Sequence, residues 1–308
     1  HRGAKVIMVD VTSDFGIDIS KIEKHINSRT KAIIPVDVGG LPIDYSVLNM
    51  LLRKQNVKKL FVPESANQHK LGRILVLSDA AHSFGAVYNN KKVGSHADFT
   101  VFSFHAVKNL TTAEGGAICI NLPKPFKNGE TYKQLNALSL HGQSKDALAK
   151  TVKGNWEYDV MDAGFKCNMT DILASIGLVE LRRYENETLP KRKAIFEKYT
   201  KELSVFDFLI TPLFKDDNRE SSYHLYLLRI KDCSLEQRNS IIQEIFNQDV
   251  SVNVHYKPLP LLSYYKSLKY NIDDYPKAKK LWETEISLPV YYDLTEEQVS
   301  RVIKVVVE

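Results

Sequence analysis

The aliphatic run at residues 74–77, Ile-Leu-Val-Leu, constrains the fold of this chain more than any other feature. Continuous apolar character over such a short segment is typical of a strand that is covered on both faces, as in a parallel sheet. Strands are predicted at about residues 4–10, 31–36, 73–78, 99–104 and 116–121, and helices near residues 18–28 and 44–55. This alternation predicts an α/β fold with a mostly parallel central sheet and helices on both faces.

A change of pattern in the second half of the chain predicts two domains. Residues 1–185 are expected to form a large domain, in which residues 57–70 are a polar insertion. Residues 186–308 are expected to form a connecting helix and a smaller α+β domain. The elements predicted in this second domain are strands at residues 223–230 and 251–256 and helices that begin after Ser234 and Thr295. A chain of 308 residues is long enough to bury a core in each domain.

The composition argues against several classes of protein. The net charge of +5 comes from scattered lysines rather than from a basic block interleaved with aromatic residues, so no nucleic-acid partner is expected. No apolar run approaches the length of a membrane span, so no membrane partner is expected either. The three cysteines have no CxxC pairing, which favours a reducing compartment, the cytoplasm, and no metal site is expected.

Four polar side chains follow the ends of two predicted strands. Asp79 and His82 come after one strand, and Ser103 and Lys108 come after another, just ahead of a Thr-Thr-Ala-Glu-Gly-Gly turn. Ligands of open α/β sheets lie outside the carboxyl ends of the strands. Burial lowers the pKa of a lysine, and the free amine can then form a Schiff base with an aldehyde. A carboxylate, an imidazole, a hydroxyl and such a lysine are the groups that a pyridoxal phosphate (PLP) site needs.

Each of these residues also has a purely structural interpretation. Lys108 alone would be an ordinary loop lysine, Asp79 a helix N-cap, and His82 a buried histidine whose hydrogen bonds are satisfied. These interpretations are much less plausible for all four residues together. The combination therefore favours the cofactor site.

Four motifs follow one another along the chain: DAAHSFGA at residues 79–86, SFHAVKNLTTAEGG at 103–116, HGQSKDA at 141–147 and GFKCNMTDILASIGLVEL at 164–181. In this order they resemble the DegT/DnrJ/EryC1/StrS family of PLP-dependent sugar aminotransferases. The resemblance covers almost the whole chain and implies the PLP-dependent transferase fold of type I. The pairing of HAVKN with HGQSKDA is most similar to the branch that aminates the 4-keto group of nucleotide-linked sugars.

The resemblance implies a role for each candidate residue. Lys108 would hold PLP as an imine and move protons during catalysis, and Asp79 would be the second catalytic residue, paired with the pyridine nitrogen. Ser103 would bind the phosphate, and His82 stands near the ring hydroxyl, where the family more often has glutamine. Asn168 precedes a helix and is expected to be a cap or a structural residue.

The family resemblance also implies a homodimer with shared active sites. The family completes its phosphate site with a group from the neighbouring subunit, and Lys153 and Asn155 are the candidates in this sequence. The helix predicted at residues 170–184 has a wide apolar face, which suits packing in the core or against a partner subunit.

His255 and Tyr256 are the candidate substrate contacts. They end a predicted strand just before the Pro-rich loop at residues 257–260, and such a loop can close over a substrate in this fold. A structural role as a loop anchor is the alternative. The family often has a second histidine a few residues further on, where this chain has Leu259 and its neighbours.

The family carries several dozen residues ahead of the point that corresponds to His1. They include a helix N-terminus that cradles the phosphate and an aromatic residue that stacks on the cofactor ring. We therefore expect the large domain to be incomplete at its N-terminus in this sequence, and the parent polypeptide to be longer.

The resemblance implies an aminotransferase that transfers an amino group, with glutamate as the expected donor, to a keto-sugar nucleotide. Such a reaction belongs to surface-polysaccharide or amino-sugar biosynthesis. A PLP-dependent sugar dehydratase of the same fold is one alternative, but those relatives replace the lysine with histidine, whereas Lys108 is present here. A catalytically silent sensor or assembly protein is another, and the intact Asp79, Ser103 and Lys108 argue against it.

Overall fold

The computed structural model describes residues 3–144 and 157–308. Its strands, numbered along the chain, are β1 (Ala32–Ile33), β2 (Leu75–Asp79), β3 (Val87–Tyr88), β4 (Lys91–Lys92), β5 (Phe99–Ser103), β6 (Gly116–Ile120), β7 (Leu209–Ile210), β8 (Arg219–Glu220), β9 (Tyr226–Ile230) and β10 (Glu285–Leu288). Its α-helices are α1 (Tyr45–Arg53), α2 (Gln55–Leu60), α3 (Ala66–Leu71), α4 (Asn128–Ser139), α5 (Asp171–Arg183), α6 (Leu189–Leu203), α7 (Leu235–Asn247), α8 (Ser263–Ser267), α9 (Pro276–Thr284) and α10 (Glu296–Val307). A π-helical turn, Tyr184–Thr188, joins α5 to α6.

The central sheet has the strand order β1-β2-β5-β6. β2 pairs in parallel with β1 on one side and with β5 on the other, and β6 then runs antiparallel to β5. Side chains along β2 and β5 alternate between buried and half-buried positions, so one face of each strand lies in the interior. The fold is therefore α/β with a mixed, mostly parallel sheet, as the sequence predicted.

The hydrophobic interior has two separate main centres. In the first part of the chain, Leu48 of α1 and Val76 of β2 belong to one buried cluster. In the second part, the antiparallel sheet β10-β9-β7 packs with α6 and α10 around a cluster that contains Phe196, Tyr226 and Ile286. The small sheet β4-β3-β8 connects the two parts, because β3 precedes β5 while β8 follows α6.

The strand predicted at residues 4–10 is wrong. This segment has no strand partner among the described residues, and the nearest bridge is an isolated one at Val11. Residues 4–7 are exposed, whereas Asp10 is buried and accepts the backbone N–H of Ala278 at 2.9 Å. The end of this segment is therefore held by α9 and not by the sheet.

Three other segments differ from the prediction. The helix predicted at residues 18–28 is two short 3-10 turns. The polar insertion predicted at residues 57–70 is mostly helical, since it contains the end of α2 and all of α3 except its last residue; Ser65 caps the first turn of α3. Residues 251–256 form no strand and contribute one isolated bridge at Asn253.

The helix starts predicted in the second part are confirmed. Ser234 and Thr295 each accept the backbone N–H of the third residue that follows, and a glutamine there accepts the cap's own N–H, which is a capping box. The start of α5 is capped by Thr170 instead, so a capping role for Asn168 is wrong. The side-chain oxygen of Asn168 accepts a hydrogen bond from Lys166 at 2.5 Å.

Helix α5 leaves much of its apolar surface uncovered. Its exposed apolar side chains are Ile172, Ile176, Leu178, Val179 and Leu181. The wide apolar face predicted for this helix is thus present, and it is not part of the core within the described residues. Among the helices of those residues, none combines the length and apolar character needed to cross a membrane.

Candidate active site

Asp79 lies at the carboxyl end of β2 with one carboxylate oxygen available. Backbone hydrogen bonds fix its position, because its N–H reaches the carbonyl of Pro35 at 2.9 Å and its carbonyl accepts the N–H of Asp37 at 3.1 Å. Its Oδ1 accepts the backbone N–H of Ala81 at 3.1 Å. Its Oδ2 accepts no hydrogen bond from the residues that the structure describes, so this oxygen is available to a ligand.

Lys108 lies in a tight turn after β5. Its backbone N–H donates to the carbonyl of His105 at 2.9 Å, and the side chain is half-buried. Within the described parts of the chain, its amine has no hydrogen-bond or ion-pair partner. Burial lowers the pKa of Lys108, and the negative charge of Asp79 partly opposes this shift. A larger fraction of this amine is therefore unprotonated and nucleophilic than in a surface lysine.

The turn that follows Lys108 leaves little room for a side chain at either of its glycines. A Cβ atom at Gly116 would lie 2.6 Å from the backbone carbonyl of Phe102, and a Cβ at Gly115 would meet the side chains of Thr112 and Met169. The Thr112 hydroxyl itself donates to the carbonyl of Glu114 at 2.9 Å. The threonines and glycines of the motif thus shape the turn. Among the described residues, the hydroxyl of Ser103 at the end of β5 accepts one hydrogen bond, from the backbone N–H of His105 at 3.3 Å.

His82 is buried and neutral. Burial, followed by the charges of Lys108 and His255, lowers the pKa of His82 to about 3. Its Nδ1 accepts the backbone N–H of Gly39 at 3.2 Å, so the proton of the neutral ring is on Nε2. Nε2 lies 3.2 Å from the hydroxyl of Tyr256 and donates to it. The Tyr256 hydroxyl therefore retains its own proton for donation to a ligand.

Tyr256 and His255 bring the second part of the chain to this site. Tyr256 is about half exposed, at 52%, and its ring stacks with that of His82 at a centroid distance of 5.8 Å. Burial and the charge of Lys108 lower the pKa of His255, which places this imidazole within electrostatic reach of the lysine. The structure thus brings together Asp79, His82, Lys108, His255 and Tyr256.

Asn109 and His224 belong to the site but were not predicted from the sequence. The side-chain oxygen of Asn109 accepts a hydrogen bond from Nδ1 of His224 at 2.8 Å, and its amide donates to the carbonyl of Ser222 at 2.7 Å. The His224 ring lies 4.4 Å from that of His82. The position of Asn109, directly after the lysine of the HAVKN motif, was the one signal in the sequence.

Asp37 is a second carboxyl group that the prediction missed. It is fully buried and accepts hydrogen bonds from the hydroxyl of Ser83 at 2.7 Å and from that of Tyr45 at 2.9 Å. Burial raises the pKa of Asp37 to about 6, and the nearby negative charge of Asp79 acts in the same direction. Its hydrogen bonds hold the turn that carries His82, so its role here is structural.

Two predicted residues, Lys153 and Asn155, lie outside the described residues. A cavity of about 590 Å³ is lined by residues of the segments 12–20, 38–47 and 211–229 and by Phe196. Its lining includes Gly39, which donates to His82, but neither Asp79 nor Lys108.

The donor set fits PLP. Within the described residues, the amine of Lys108 has no counter-ion and can hold an aldehyde, and Oδ2 of Asp79 has no donor and can accept from a protonated ring nitrogen. The Tyr256 hydroxyl, held by Nε2 of His82, can donate to a ring or phosphate oxygen. The structure places the amine of Lys108 within electrostatic range of both Asp79 and His82.

Comparisons with known proteins agree with the assignment of a PLP site. The profile of the DegT/DnrJ/EryC1/StrS aminotransferase family matches residues 1–307. The putative sugar aminotransferase Spr1654 from Streptococcus pneumoniae, solved in its PMP form, superimposes with a TM-score of 0.93 and is 44% identical over 99% of this chain and 75% of that one. Helicobacter pylori PseC, an aminotransferase involved in the biosynthesis of pseudoaminic acid, has a TM-score of 0.81 and 28% identity over 99% of this chain and 73% of its own. The spore coat polysaccharide biosynthesis protein SpsC of Bacillus subtilis is 32% identical over 99% of this chain and 74% of its length.

The fold, the site and these matches define a PLP-dependent aminotransferase. The chain belongs to the DegT/DnrJ/EryC1/StrS aminotransferase family. The family resemblance and the cofactor inferred from the motifs are thereby confirmed.

Proposed function

We propose that this protein aminates the 4-keto group of a nucleotide-linked sugar, with glutamate as the amino donor, in surface-polysaccharide or amino-sugar biosynthesis. The observation that carries the proposal is the half-buried amine of Lys108, which has no partner among the described residues and lies close to the carboxylate of Asp79. The names of the relatives support the substrate class, since UDP-4-amino-4,6-dideoxy-N-acetyl-beta-L-altrosamine transaminase of Campylobacter jejuni is 30% identical over 295 residues.

When bound, PLP supplies an electron-withdrawing ring that stabilises negative charge at the carbon that loses its proton. Asp79 would accept a hydrogen bond at its free Oδ2 from the protonated ring nitrogen. Lys108 would hold the cofactor aldehyde in the resting enzyme and carry the proton between carbon atoms in each half-reaction. Its lowered pKa suits this role, because a general base must be unprotonated near the working pH.

The remaining side chains would bind and orient. Ser103 would donate its hydroxyl proton to the phosphate at the end of β5. His82 would lie near the ring hydroxyl, and Tyr256, whose hydroxyl accepts a hydrogen bond from Nε2 of His82, would donate a hydrogen bond to the ligand. His255 would contact the sugar from the same loop.

We also propose the type I fold of PLP-dependent transferases, with a boundary between domains 1–185 and 186–308. The two separate buried clusters support this division, since one contains residues up to 97 and the other begins at 195.

The active unit is proposed to be a homodimer in which Lys153 or Asn155 of one subunit completes the phosphate site of the other. The exposed apolar face of α5 supports a partner surface.

The cytoplasm is the proposed location, and the three cysteines, all free thiols, are consistent with a reducing compartment.

The proposed function is tested by the visible absorbance spectrum of the full-length holoenzyme. Glutamate should convert the PLP band to that of the aminated cofactor, and a nucleotide-linked 4-keto-sugar should restore it. A holoenzyme that responds to no amino donor, or whose aminated form is unchanged by keto-sugar nucleotides, contradicts the proposal.

A further inference from the structure

A buried carboxyl group lies behind His255. Glu285, on β10, is fully enclosed, and its Oε2 accepts the backbone N–H of His255 at 2.9 Å. Its Oε1 is hydrogen-bonded to the hydroxyl of Ser287, and that hydroxyl lies 2.7 Å from Nδ1 of His255. The three side chains thus form a continuous hydrogen-bonded chain that ends on the imidazole.

Few charges compensate this carboxyl group. Arg238 from α7 donates to the backbone carbonyl of Glu285 at 2.8 Å rather than to its carboxyl group, and Arg229 stands opposite Glu285 in the register of β9 and β10. Burial is the dominant influence and raises the pKa of Glu285 to about 8. The hydrogen bonds from Ser287 and His255 and the charge of Arg238 lower this pKa, but by less.

The direction of the hydrogen bonds depends on the proton of Glu285, because a serine hydroxyl has one proton to donate. If Glu285 is ionised, Ser287 donates to the carboxylate, so Nδ1 of His255 must donate to Ser287 and Nε2 is a free acceptor. If Glu285 is protonated, it donates to Ser287, and Ser287 donates to Nδ1. The proton of the neutral imidazole is then on Nε2, which becomes a donor.

We propose that Glu285 and Ser287 are positioning residues that set the tautomer of His255, and that the proton on Glu285 determines whether Nε2 offers a donor or an acceptor to the substrate. The inference rests on the proposed function, in which His255 contacts the sugar nucleotide. Nε2 has no hydrogen-bond partner within residues 3–144 and 157–308, and the ring packs against Tyr256 at a centroid distance of 4.7 Å.

The other charged and titratable groups around His255 do not replace the hydrogen bonds that link it to Ser287 and Glu285. Lys108 lowers the pKa of His255, and His255 in turn acts on His82 and His224, so the imidazole is neutral when Glu285 titrates. The donor form is therefore the state of the neutral-pH enzyme. Keto and phosphate oxygens can only accept hydrogen bonds, so the donor form is the one that binds them.

The tautomer of His255 is measurable by NMR of the full-length holoenzyme labelled with 15N at histidine, without substrate. The His255 signals are assigned by their loss in His255→Gln. Wild-type protein should change from the Nε2–H to the Nδ1–H tautomer as the pH rises through the titration near 8. Glu285→Gln should remain in the Nε2–H tautomer at every pH, because its amide oxygen retains the N–H of His255 while its NH2 group donates to Ser287.

Glu244→Gln, an exposed position on α7, is the matched control and should behave as wild type. If Glu285→Gln does not fold, Ser287→Ala provides a second test. Loss of the Ser287 hydroxyl should abolish the pH-dependent change of the His255 tautomer. A wild-type tautomer that is constant across this range, or a change that persists in either variant, overturns the inference.

A kinetic readout separates positioning from a general structural defect. The KM of Glu285→Gln for the nucleotide-linked keto-sugar should equal that of wild type at low pH and be lower by roughly 2- to 10-fold at high pH, where wild type has lost one donor. The kcat should change little. The NMR result needs no turnover, so a holoenzyme that fails to transaminate contradicts the proposed function, whereas a constant tautomer in an active enzyme contradicts only this inference.

Discussion

Replacing Asp79 with asparagine tests the electrostatic basis of the site with little change of shape. The carboxamide oxygen can keep the hydrogen bond from the N–H of Ala81, which is 3.1 Å long, so the change is concentrated at the free Oδ2. A hydrogen bond between a carboxylate and a protonated ring nitrogen contributes roughly 1.5–3 kcal/mol. At about 1.36 kcal/mol per factor of ten, its loss should slow proton transfer by about 10- to 150-fold.

The assay is stopped-flow absorbance of the holoenzyme mixed with glutamate, which isolates the first half-reaction. Asp79→Asn should also lower the pKa of Lys108 further, because the charge of Asp79 partly offsets the effect of burial on that amine. The pH at which the rate rises should therefore move to a lower value. Asp207→Asn, an exposed position, serves as the control. A rate within a factor of two of wild type in Asp79→Asn would refute the assigned role and leave Asp79 as a structural residue.

The remaining predictions concern the lysine, the neighbouring subunit and the buried glutamate. Borohydride reduction should place the pyridoxyl label on Lys108, and recovery of the label on another lysine would contradict this assignment. Mixing full-length Lys108→Ala with a variant changed at both Lys153 and Asn155 should restore part of the activity, because one site of each mixed dimer is then intact; no recovery after verified subunit exchange would contradict shared sites. Burial raises the pKa of Glu285 from its ordinary 4.5 to about 8 in the folded protein, so the free energy of unfolding should fall as the pH rises between these values. Urea unfolding should show this fall in wild type and not in Glu285→Gln, and equal slopes in the two proteins would argue against a buried neutral carboxyl group.

The parts of the site that could be predicted are those encoded by local pattern. β2 and β5 are short apolar runs whose carboxyl ends must meet at one edge of a parallel sheet, and this places Asp79 near Lys108 without any knowledge of distant contacts. The same reasoning fails for the segment at residues 4–10. Its apolar residues match a strand pattern, but a strand also needs a hydrogen-bonding partner, and pattern alone does not supply one.

The residues that were missed depend on contacts between distant parts of the sequence. The hydrogen bond between Asn109 and His224 joins positions 115 residues apart, and the chain from Glu285 to His255 spans 30 residues and crosses from β10 to a loop. A buried carboxyl group such as Asp37 is also difficult to recognise, because in the sequence it is one of many acidic residues. Only the folded structure shows that it is fully enclosed.

The contacts around Asn109 indicate that the active site is formed jointly by both hydrophobic centres. Asn109 follows Lys108 directly and is bound to Ser222 and His224, so the position of the reactive lysine is tied to the second part of the chain. Arg192 of α6 fixes the same segment by donating to the carbonyl of His224 at 2.8 Å. Because Arg192 is buried and α6 packs in the second core, we expect a change in that core to reach the lysine through the hydrogen bonds of Arg192 and Asn109. Cofactor binding should therefore depend on the folding of both parts, even though the sheet that carries Asp79 belongs to only one of them.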